Sequence, residues 1–350
     1  MKKISCAIVT FLVGIYLFAP LLSMFSKDVF SANAEPMNGQ AECVMEINSG
    51  RVLFASNCDL RLPMASTTKI ITALTVLEAC DDLKTAYTIP VEAEGVEGSS
   101  VYLKSGEVYT IEDLLYGLML RSGNDCATAL ALYCSGNLQD FSTKMNQFAE
   151  KAGAINSCFK NPHGLPQDGH YTTAYDLSLI ACYGMKNAIF QRIVATKYYQ
   201  PRHWTNKNKM LQQYDGANGI KTGYTKQAGR CLVSSATKDE MTLVCTVLNC
   251  PMMYERSSQL LDDAFAMYRK VRLISEGEKI VVPFEGKEVV GVAHDNFDYP
   301  LLKEEEELIE IKAYPYKKEW LRKKKREEIV GQFEIYLSKR LLFSGNLYKL

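Results

Sequence analysis

The sequence predicts an α+β fold in which one antiparallel sheet is assembled from strands that lie far apart in the chain. Alternating apolar residues predict a hairpin over 43–55 and strands over 218–224, 229–236 and 241–249. The segment between them has helical periodicity, and strands on both sides of a helical middle are typical of an α+β domain. Residues 271–350 contain no cysteine and show short alternating segments, which predict a second, small β-rich domain.

Turn and capping residues justify the individual elements. Ser49-Gly50 marks the turn of the hairpin, and Thr110-Ile-Glu-Asp113 is a capping box that opens a helix reaching about Leu120. Thr173 caps a later helix that runs to about Met185. The remaining predicted helices cover 66–80, 125–133, 138–152 and 253–269, and the predicted strands of the second domain cover 279–283, 308–312 and 332–337. We therefore expect one domain over 35–270 and another over 271–350.

Charge and composition narrow the function classes. The chain has 350 residues, of which 47% are hydrophobic, and its 40 basic and 40 acidic residues leave no net charge. This balance gives no sign of nucleic-acid binding. The charge runs at 304–307 and 322–328 are expected to lie in exposed turns and edges. Four scattered histidines offer no zinc site, and we expect neither a metal nor another cofactor.

The N-terminus has the features of an export signal. Lys2 and Lys3 precede a mostly apolar run over 4–22, and Ala32-Asn33-Ala34 offers small residues for a signal peptidase. We predict a signal peptide over 1–34 and an extracytoplasmic protein, either secreted or held at the cell wall or the outer face of the membrane. An uncleaved membrane anchor is the alternative, because the apolar run is long enough to span a bilayer.

Eleven cysteines are many for a chain of this length, and all but Cys6 follow the signal segment. An exported chain with ten cysteines can be disulfide-bonded. Cys80, Cys182 and Cys245, however, lie inside apolar patterns, where a cysteine behaves as a small buried hydrophobic residue. These positions favour mostly free, buried thiols.

The strongest chemical signal is Ser66-Thr-Thr-Lys69 at the start of a predicted helix. A serine and a lysine three residues apart share one helix face, and a serine hydroxyl becomes a good nucleophile when a base lies within hydrogen-bond reach. The motif therefore predicts covalent serine catalysis with a lysine base. The same spacing recurs at Ser235-Ala-Thr-Lys238, which we interpret as chance because it overlaps a strand that enters a polar turn.

Two further elements follow the serine–lysine pair in the chain. Ser122-Gly-Asn124 lies at a junction between two predicted helices, and Lys221-Thr-Gly223 lies in a predicted strand, where glycine permits close approach of a ligand. Similar tripeptides occur at Ser135-Gly-Asn137, Ser344-Gly-Asn346 and Lys104-Ser-Gly106. We interpret these as a helix cap, a hairpin and a decoy that precedes Ser122 in the chain.

The three elements, in this order, resemble the set found in class A β-lactamases and penicillin-binding proteins. The chain resembles most closely the serine-type D-alanyl-D-alanine carboxypeptidases, the low-molecular-weight penicillin-binding proteins of peptidase family S11. The resemblance extends over 43–270, with further similar stretches at 99–103, 114–131, 145–146, 161–165 and 169–176, and residues 271–350 resemble that family's second domain. It implies a β-lactamase/transpeptidase-like catalytic domain with a helical subdomain, followed by a β-rich domain.

The resemblance also implies a substrate and a reaction. The substrate would be a peptidoglycan stem peptide ending in D-Ala-D-Ala, and β-lactam antibiotics would be inhibitors. Ser66 would attack the penultimate carbonyl, Lys69 would act as the base, and Ser122 would relay a proton to the leaving amine. Burial and the cation of Lys221 would lower the pKa of Lys69 and keep it neutral.

The family pattern also assigns substrate-binding roles. Lys221 and Thr222 would hold the terminal carboxylate, with Gly223 allowing close approach and Arg256 nearby.

The resemblance also implies which groups bind the substrate amide and the oxyanion. Asn124 would orient Lys69 and bind a substrate amide, and the backbone N–H groups of Ser66 and Tyr224 would form the oxyanion hole.

Two other functions compete with this interpretation. A serine β-lactamase shares the acylation chemistry, but class A enzymes deacylate with a glutamate and a water, and the sequence has no Glu-x-x-Leu-Asn stretch. A lactamase would also not need residues 271–350. A non-catalytic wall-binding scaffold of the same fold is the other alternative, and the intact motifs at Ser66, Ser122 and Lys221 argue against it.

One feature departs from the family pattern. Several members end in an amphipathic helix that lies on the membrane, whereas this chain stops at Leu350 directly after its last strand pattern. We therefore expect membrane contact only through an uncleaved signal segment or weak peripheral association.

Overall fold

The computed structural model describes residues 38–284, 287–315 and 329–349. The predicted signal peptide over 1–34 and the charge run at 322–328 lie outside the described residues.

The described chain contains both antiparallel sheets and helices. The strands are β1 (Ala41–Glu46), β2 (Val52–Ser56), β3 (Ala86–Thr88), β4 (Val108–Thr110), β5 (Tyr198–Tyr199), β6 (Trp204–Thr205), β7 (Ala217–Thr225), β8 (Gly229–Lys238), β9 (Met241–Leu248), β10 (Tyr268–Ile274), β11 (Lys279–Phe284), β12 (Lys287–Ala293), β13 (Phe297–Leu302), β14 (Ile309–Pro315), β15 (Ile329–Leu337) and β16 (Arg340–Lys349). The helices are α1 (Lys69–Ala79), α2 (Ile111–Tyr116), α3 (Asn124–Ser135), α4 (Leu138–Lys151), α5 (Ala174–Gly184), α6 (Ala188–Ala195), α7 (Met210–Gln213) and α8 (Met253–Met267).

The central sheet joins both ends of the predicted catalytic domain. Its five strands have the order β2-β1-β9-β8-β7, and each pair is antiparallel. Successive residues of a strand point to opposite faces, so Cys43 and Met45 pack in the core with α1, α3 and α5, whereas Val44 packs in the core with α8. The predicted α+β class, with a sheet built from sequence-distant strands, is confirmed.

The predicted helices are present, with two local differences. Ser66 lies in a 3-10 turn, Ala65–Thr68, that leads directly into α1. The helix opened by the Thr110–Asp113 capping box ends in a π-helical turn, Gly117–Arg121. The sequence predicts neither α6 nor the short β5–β6 hairpin, because their segments are too short for a clear periodicity.

The C-terminal region forms a separate sheet with its own core. Its strand order is β11-β12-β16-β15-β14, and buried Val282, Phe333, Ile335 and Leu347 contribute to its core. The three predicted strands of this region correspond to β11, β14 and β15. The domain boundary between residues 270 and 271 stays a prediction, and it falls inside β10, which pairs with β13.

A half-buried arginine links the central sheet to the β10–β13 pair and to the turn that follows β13. The guanidinium of Arg51, which directly precedes β2, donates to both carboxylate oxygens of Glu305 at 2.9 and 2.6 Å and to the carbonyl of Pro300 at 2.6 Å. It also lies over the rings of Tyr268 and Tyr299. The expectation that the charge run at 304–307 lies in exposed turns and edges was wrong for Glu305 and Glu306, which are half-buried and pair with Arg51 and Arg269.

Seven of the ten cysteines from Cys43 to Cys250 are buried, and burial raises the pKa of the Cys43 and Cys126 thiols well above the usual value.

In the described ranges, no helix combines the length and the hydropathy needed to cross a bilayer.

Candidate active site

Ser66 and Lys69 lie at the N-terminal end of α1, where the chain passes from the 3-10 turn into the helix. The half-buried Ser66 hydroxyl is 3.0 Å from the Nζ of Lys69, which is completely buried. Lys69 Nζ also contacts the Oδ1 of Asn124 and the carbonyl of His163, each at 2.6 Å. The predicted nucleophile and base are therefore in hydrogen-bond contact.

The partners of Lys69 determine what its amine can do. Two of the three, the Asn124 Oδ1 and the His163 carbonyl, can only accept hydrogen bonds. A neutral amine has two N–H groups, which these two oxygens satisfy, so its lone pair faces the Ser66 hydroxyl. Burial, together with the nearby Lys221 ammonium, lowers the pKa of Lys69 well below its usual value. The geometry and the electrostatics thus both favour a base directed at Ser66.

Asn124 and Ser122 share the turn that opens α3. Asn124 donates one Nδ2 hydrogen bond to the carbonyl of Glu97 at 2.5 Å, which leaves its second N–H for a ligand. Ser122 follows the π-helical turn and has a left-handed backbone with φ of 65°. Ser122 is a buried residue, and its hydroxyl makes no side-chain hydrogen bond to another residue of the described ranges. This serine is thus available for interaction with a bound molecule.

The edge strand β7 carries the lysine–threonine–glycine motif beside the nucleophile. A Cβ on Gly223 would lie 2.9 Å from the Met64 carbonyl and 3.1 Å from the backbone nitrogen of Ser66, so only glycine fits here without displacement. The neighbouring Thr222 is half-buried, and the ring of Tyr224 is exposed, with the Arg230 guanidinium 5.9 Å from its centre. Close packing at Gly223 therefore places the backbone of β7 against the backbone of Ser66.

Lys221 is a second buried cation. Its side chain is 1% exposed, and its Nζ donates to the carbonyl of Thr222 at 2.8 Å. No carboxylate in the described parts of the chain forms an ion pair with Lys221 or Lys69. Burial, with a contribution from Lys207, lowers the pKa of Lys221 to about 7. An anionic ligand would supply the charge that the protein itself does not provide.

Lys207 is a third cation of the site that the sequence analysis missed. Its charge helps to lower the pKa of both Lys69 and Lys221, and its Nζ is 3.4 Å from the Ser99 hydroxyl. Its backbone N–H donates to the carbonyl of Leu120, next to the Ser122 turn. No motif marks this residue, because it lies just after a two-strand hairpin whose position only the fold determines.

Arg256 does not lie near Lys221 and Thr222. The prediction that it lies near the carboxylate-binding residues was therefore wrong. Its Nε and Nη2 donate to the two carboxylate oxygens of Glu42 at 2.8 and 2.7 Å. Glu42 lies on β1, three strands away from β7 in the sheet order. At about 4.8 Å per strand this separation is about 14 Å. The family pattern misled because an arginine at a helix start does not indicate which part of the sheet the helix covers.

Comparisons with known proteins agree with this geometry. A family model described as D-alanyl-D-alanine carboxypeptidase, peptidase family S11, matches residues 28–252. The chain belongs to this carboxypeptidase family. It is 34% identical over 286 residues to the D-alanyl-D-alanine carboxypeptidase DacF of Bacillus subtilis, and the match covers 77% of this chain and 74% of that protein.

Solved structures with the carboxypeptidase fold also match. Penicillin binding protein 5 from Haemophilus influenzae has a TM-score of 0.75 at 26% identity, covering 91% of this chain and 98% of that one. The D-alanyl-D-alanine carboxypeptidase DacD from Francisella tularensis has a TM-score of 0.69 at 25% identity, covering 96% of this chain and 98% of that one. The predicted family and its fold, including the β-rich C-terminal region, are confirmed.

The loop over 99–103 packs beside Asn124 and is held in place by Asp125, a residue that belongs to none of the three motifs. The buried carboxylate of Asp125 accepts hydrogen bonds from the Ser100 hydroxyl at 2.5 Å and from the backbone N–H groups of Val101 and Leu103. It thereby holds the loop that adjoins Asn124, whose N–H donates to the Ser99 carbonyl at 2.7 Å. Because Asp125 is already satisfied by these donors, it does not act as the partner of Lys69.

The loop over 161–165 closes the other side of the nucleophile. Gly164 has φ of +88°, and a Cβ there would lie 1.9 Å from the carbonyl oxygen of Ala65. Ala65 itself has a positive φ of 50°, so the turn that carries Ser66 has a constrained backbone. Gly164 is therefore required for the loop to pack directly on this turn.

His170 also fixes the start of α1. Its Nδ1 accepts the N–H of Lys160 at 2.9 Å, so its Nε2 carries the proton and donates to the Thr68 hydroxyl at 3.0 Å. Thr68 in turn donates to the Ala65 carbonyl at 2.8 Å. Burial lowers the pKa of His170 to about 4, which keeps it neutral near pH 7. This histidine holds the loop and the helix together.

The decoy motifs have other partners. Ser235 lies on β8 and donates to the Asn218 side chain at 2.6 Å, whereas Lys238 contacts Tyr214 and Asp262. Lys104 is exposed and paired with Glu94. The described ranges also contain no group of three or more side chains arranged to hold a metal ion.

Proposed function

We propose that this chain is a serine DD-carboxypeptidase that removes the terminal D-alanine from peptidoglycan stem peptides through an acyl-enzyme on Ser66. The observation that carries the proposal is the contact between the Ser66 hydroxyl and the buried amine of Lys69, at 3.0 Å. The family supplies the substrate class, since DacF of Bacillus subtilis is a D-alanyl-D-alanine carboxypeptidase.

Acylation begins when Lys69 takes the Ser66 proton and the serine oxygen attacks the carbonyl carbon of the penultimate D-alanine. The developing oxyanion is stabilised by the backbone N–H groups of Ser66 and Tyr224. The close packing of Gly223 on the Ser66 nitrogen supports this assignment. In known enzymes, the loss of one such donor costs roughly 10²–10³ in rate.

Collapse of the tetrahedral intermediate breaks the peptide bond and releases D-alanine. The leaving amine needs a proton, and Ser122 is proposed to relay it from the Lys69 ammonium. The uncommitted Ser122 hydroxyl supports this role. A water molecule then attacks the ester carbonyl, which releases the shortened peptide and restores Ser66.

Lys221, Thr222 and Lys207 are proposed to bind the terminal carboxylate of the substrate. Lys221 is buried without an ion-pair partner in the described parts of the chain, and Lys207 is close enough to lower its pKa. A carboxylate between these cations would raise both pKa values and supply the missing charge. Asn124 would bind the substrate amide with its remaining N–H.

β-Lactam antibiotics are proposed to acylate Ser66 in the same way, and the acyl-enzyme is expected to persist. The described residues place no carboxylate in hydrogen-bond contact with Ser66 or Lys69, in contrast to the glutamate that class A β-lactamases use for deacylation. This difference favours a carboxypeptidase over a β-lactamase. The protein is proposed to act outside the cytoplasm, where its substrate lies.

The test is to measure D-alanine release from diacetyl-lysyl-D-Ala-D-Ala and labelling by fluorescent penicillin. We expect both with the wild-type protein and neither with Ser66→Ala. Ser235→Ala is the matched control, because it removes the serine of the decoy motif, and it should retain both. Labelling of Ser66→Ala at the wild-type level, or rapid penicillin turnover without D-alanine release, would overturn the proposal.

A further inference from the structure

Glu97 lies directly beside the side chain that is proposed to bind the substrate amide. The Glu97 carbonyl accepts a hydrogen bond from the Asn124 Nδ2 at 2.5 Å. A Cβ on the next residue, Gly98, would lie 2.7 Å from the same Nδ2, so the backbone at 97–98 rests on the carboxamide without a side chain between them. The main chain of Glu97 is therefore fixed relative to the site.

The Glu97 carboxylate has no partner within the described residues, unlike two other acidic side chains of the same segment. Glu94 pairs with Lys104 and accepts the N–H of Ser105, and Glu107 accepts the N–H of Lys104. Glu97 is exposed and forms no ion pair or hydrogen bond through its side chain in that part of the chain. The nearby cation of Lys207 contacts the Ser99 hydroxyl instead.

Among the described residues, the site has cations and one unpaired carboxylate at different positions. Lys207 and Lys221 are the cations proposed to bind the terminal carboxylate, and each influences the pKa of Lys69. Because the Glu97 carbonyl contacts the Asn124 Nδ2, the exposed Glu97 carboxylate lies within about one side-chain length of the group proposed to bind the substrate amide. If Asn124 binds the carbonyl of the residue before D-Ala-D-Ala, the side chain of that residue leaves the backbone next to Glu97.

We propose that the Glu97 carboxylate binds a free ammonium group on the side chain of the residue that precedes D-Ala-D-Ala. The enzyme therefore prefers stem peptides whose third residue carries an unmodified amine over those in which this amine has become an amide. The inference rests on the proposed carboxypeptidase function and adds a specificity-determining residue to it. A carboxylate discriminates these peptides because acylation removes the positive charge of the amine.

The experiment compares kcat/KM for two peptides, Nα-acetyl-lysyl-D-Ala-D-Ala and Nα,Nε-diacetyl-lysyl-D-Ala-D-Ala. The wild-type protein is expected to prefer the free amine by roughly two- to five-fold at low salt, the range of an exposed ion pair. The preference should shrink as salt is raised, because exposed charges are screened. Glu97→Gln should abolish the preference and leave the rate on the diacetyl peptide unchanged.

Glu92→Gln is the matched control, because it removes another exposed carboxylate from the same segment and should keep the wild-type preference. Equal rates for the two peptides with the wild-type protein, or a preference that persists in Glu97→Gln, would overturn the inference. A Glu97→Gln protein that loses the same factor on both peptides would also overturn it, since Glu97 would then only support Asn124. Absence of D-alanine release from either peptide would instead show that the proposed function fails.

Discussion

Two buried cations of the described residues, Arg256 and Lys69, lie in different regions and have opposite surroundings. In the core beneath α8, Arg256 is paired through two nitrogens with the fully buried carboxylate of Glu42, and this hydrogen-bonded pair raises the pKa of the arginine. Beside β7, Lys69 meets neutral oxygens, and burial lowers its pKa well below the usual value. Arg256, with its carboxylate partner, has a structural role. Lys69, whose partners are neutral oxygens, has the lowered pKa that a base requires.

The largest expected effect comes from removing the base. Lys69→Met should lower the rate of acylation by fluorescent penicillin by about 10²–10⁴-fold, the usual contribution of a general base. Lys238→Met, which removes the decoy lysine, is the control and should acylate at the wild-type rate. A Lys69→Met protein that still acylates within ten-fold of wild type would show that another group deprotonates Ser66.

Removing the buried arginine, Arg256, should lower the stability of the protein and leave the acylation rate unchanged. Arg256→Met leaves the Glu42 carboxylate buried without its partner, so the free energy of unfolding should fall by about 3–5 kcal/mol in denaturant titrations. The double variant with Glu42→Met as well should recover much of this loss. If Arg256→Met reduced the acylation rate per folded molecule by more than a few-fold, Arg256 would have a role in the site after all.

The family and the central sheet were predictable from the sequence, whereas contacts between distant residues were not. The order of the three motifs and the local spacing of Ser66 and Lys69 were sufficient to predict the family, and the periodicities predicted the central sheet. The pairing of Arg256 with Glu42 was not predictable, because the two residues are 214 positions apart and meet only when α8 packs on β1. Lys207 was missed for the same reason, since its proximity to Lys221 depends on the hairpin that precedes it.

The contact of Gly164 with the turn that carries Ser66 was not predictable from the sequence either. Gly164 is required by a backbone contact, which no hydrophobic pattern records. Gly164→Ala should displace the turn that carries Ser66 and lower acylation by about 100-fold, the scale of a 1 Å misplacement.

Gly136 offers the matched control for this substitution. It also has a positive φ, of 71°, but a Cβ there would meet nothing within 4 Å. Gly136→Ala should therefore cost about 1–2 kcal/mol of stability, because of its left-handed backbone, and leave acylation unchanged. Equal acylation by the Gly164→Ala and wild-type proteins would contradict the packing argument.

The smallest expected effect is a shift in the pH profile. Lys207 lowers the pKa of both Lys69 and Lys221, so removing its charge in Lys207→Gln should raise both values. Because Lys69 must lose its proton to act as a base, the acid limb of the acylation rate should move to higher pH. The measurement is the second-order rate constant with fluorescent penicillin across pH. An unchanged or downward-shifted limb would mean that Lys207 does not act on the base.

The central claim is that burial and the cation of Lys221 lower the pKa of Lys69 well below its usual value and so prepare its amine to act as a base. The most direct measurement is a pH titration of lysine side-chain NMR signals, with the Lys69 signal assigned by its loss in Lys69→Met. The account predicts a titration midpoint well below the usual 10.5. A midpoint at or above 10.5 would contradict it, because Lys69 would then be a charged residue like Arg256 and not a base.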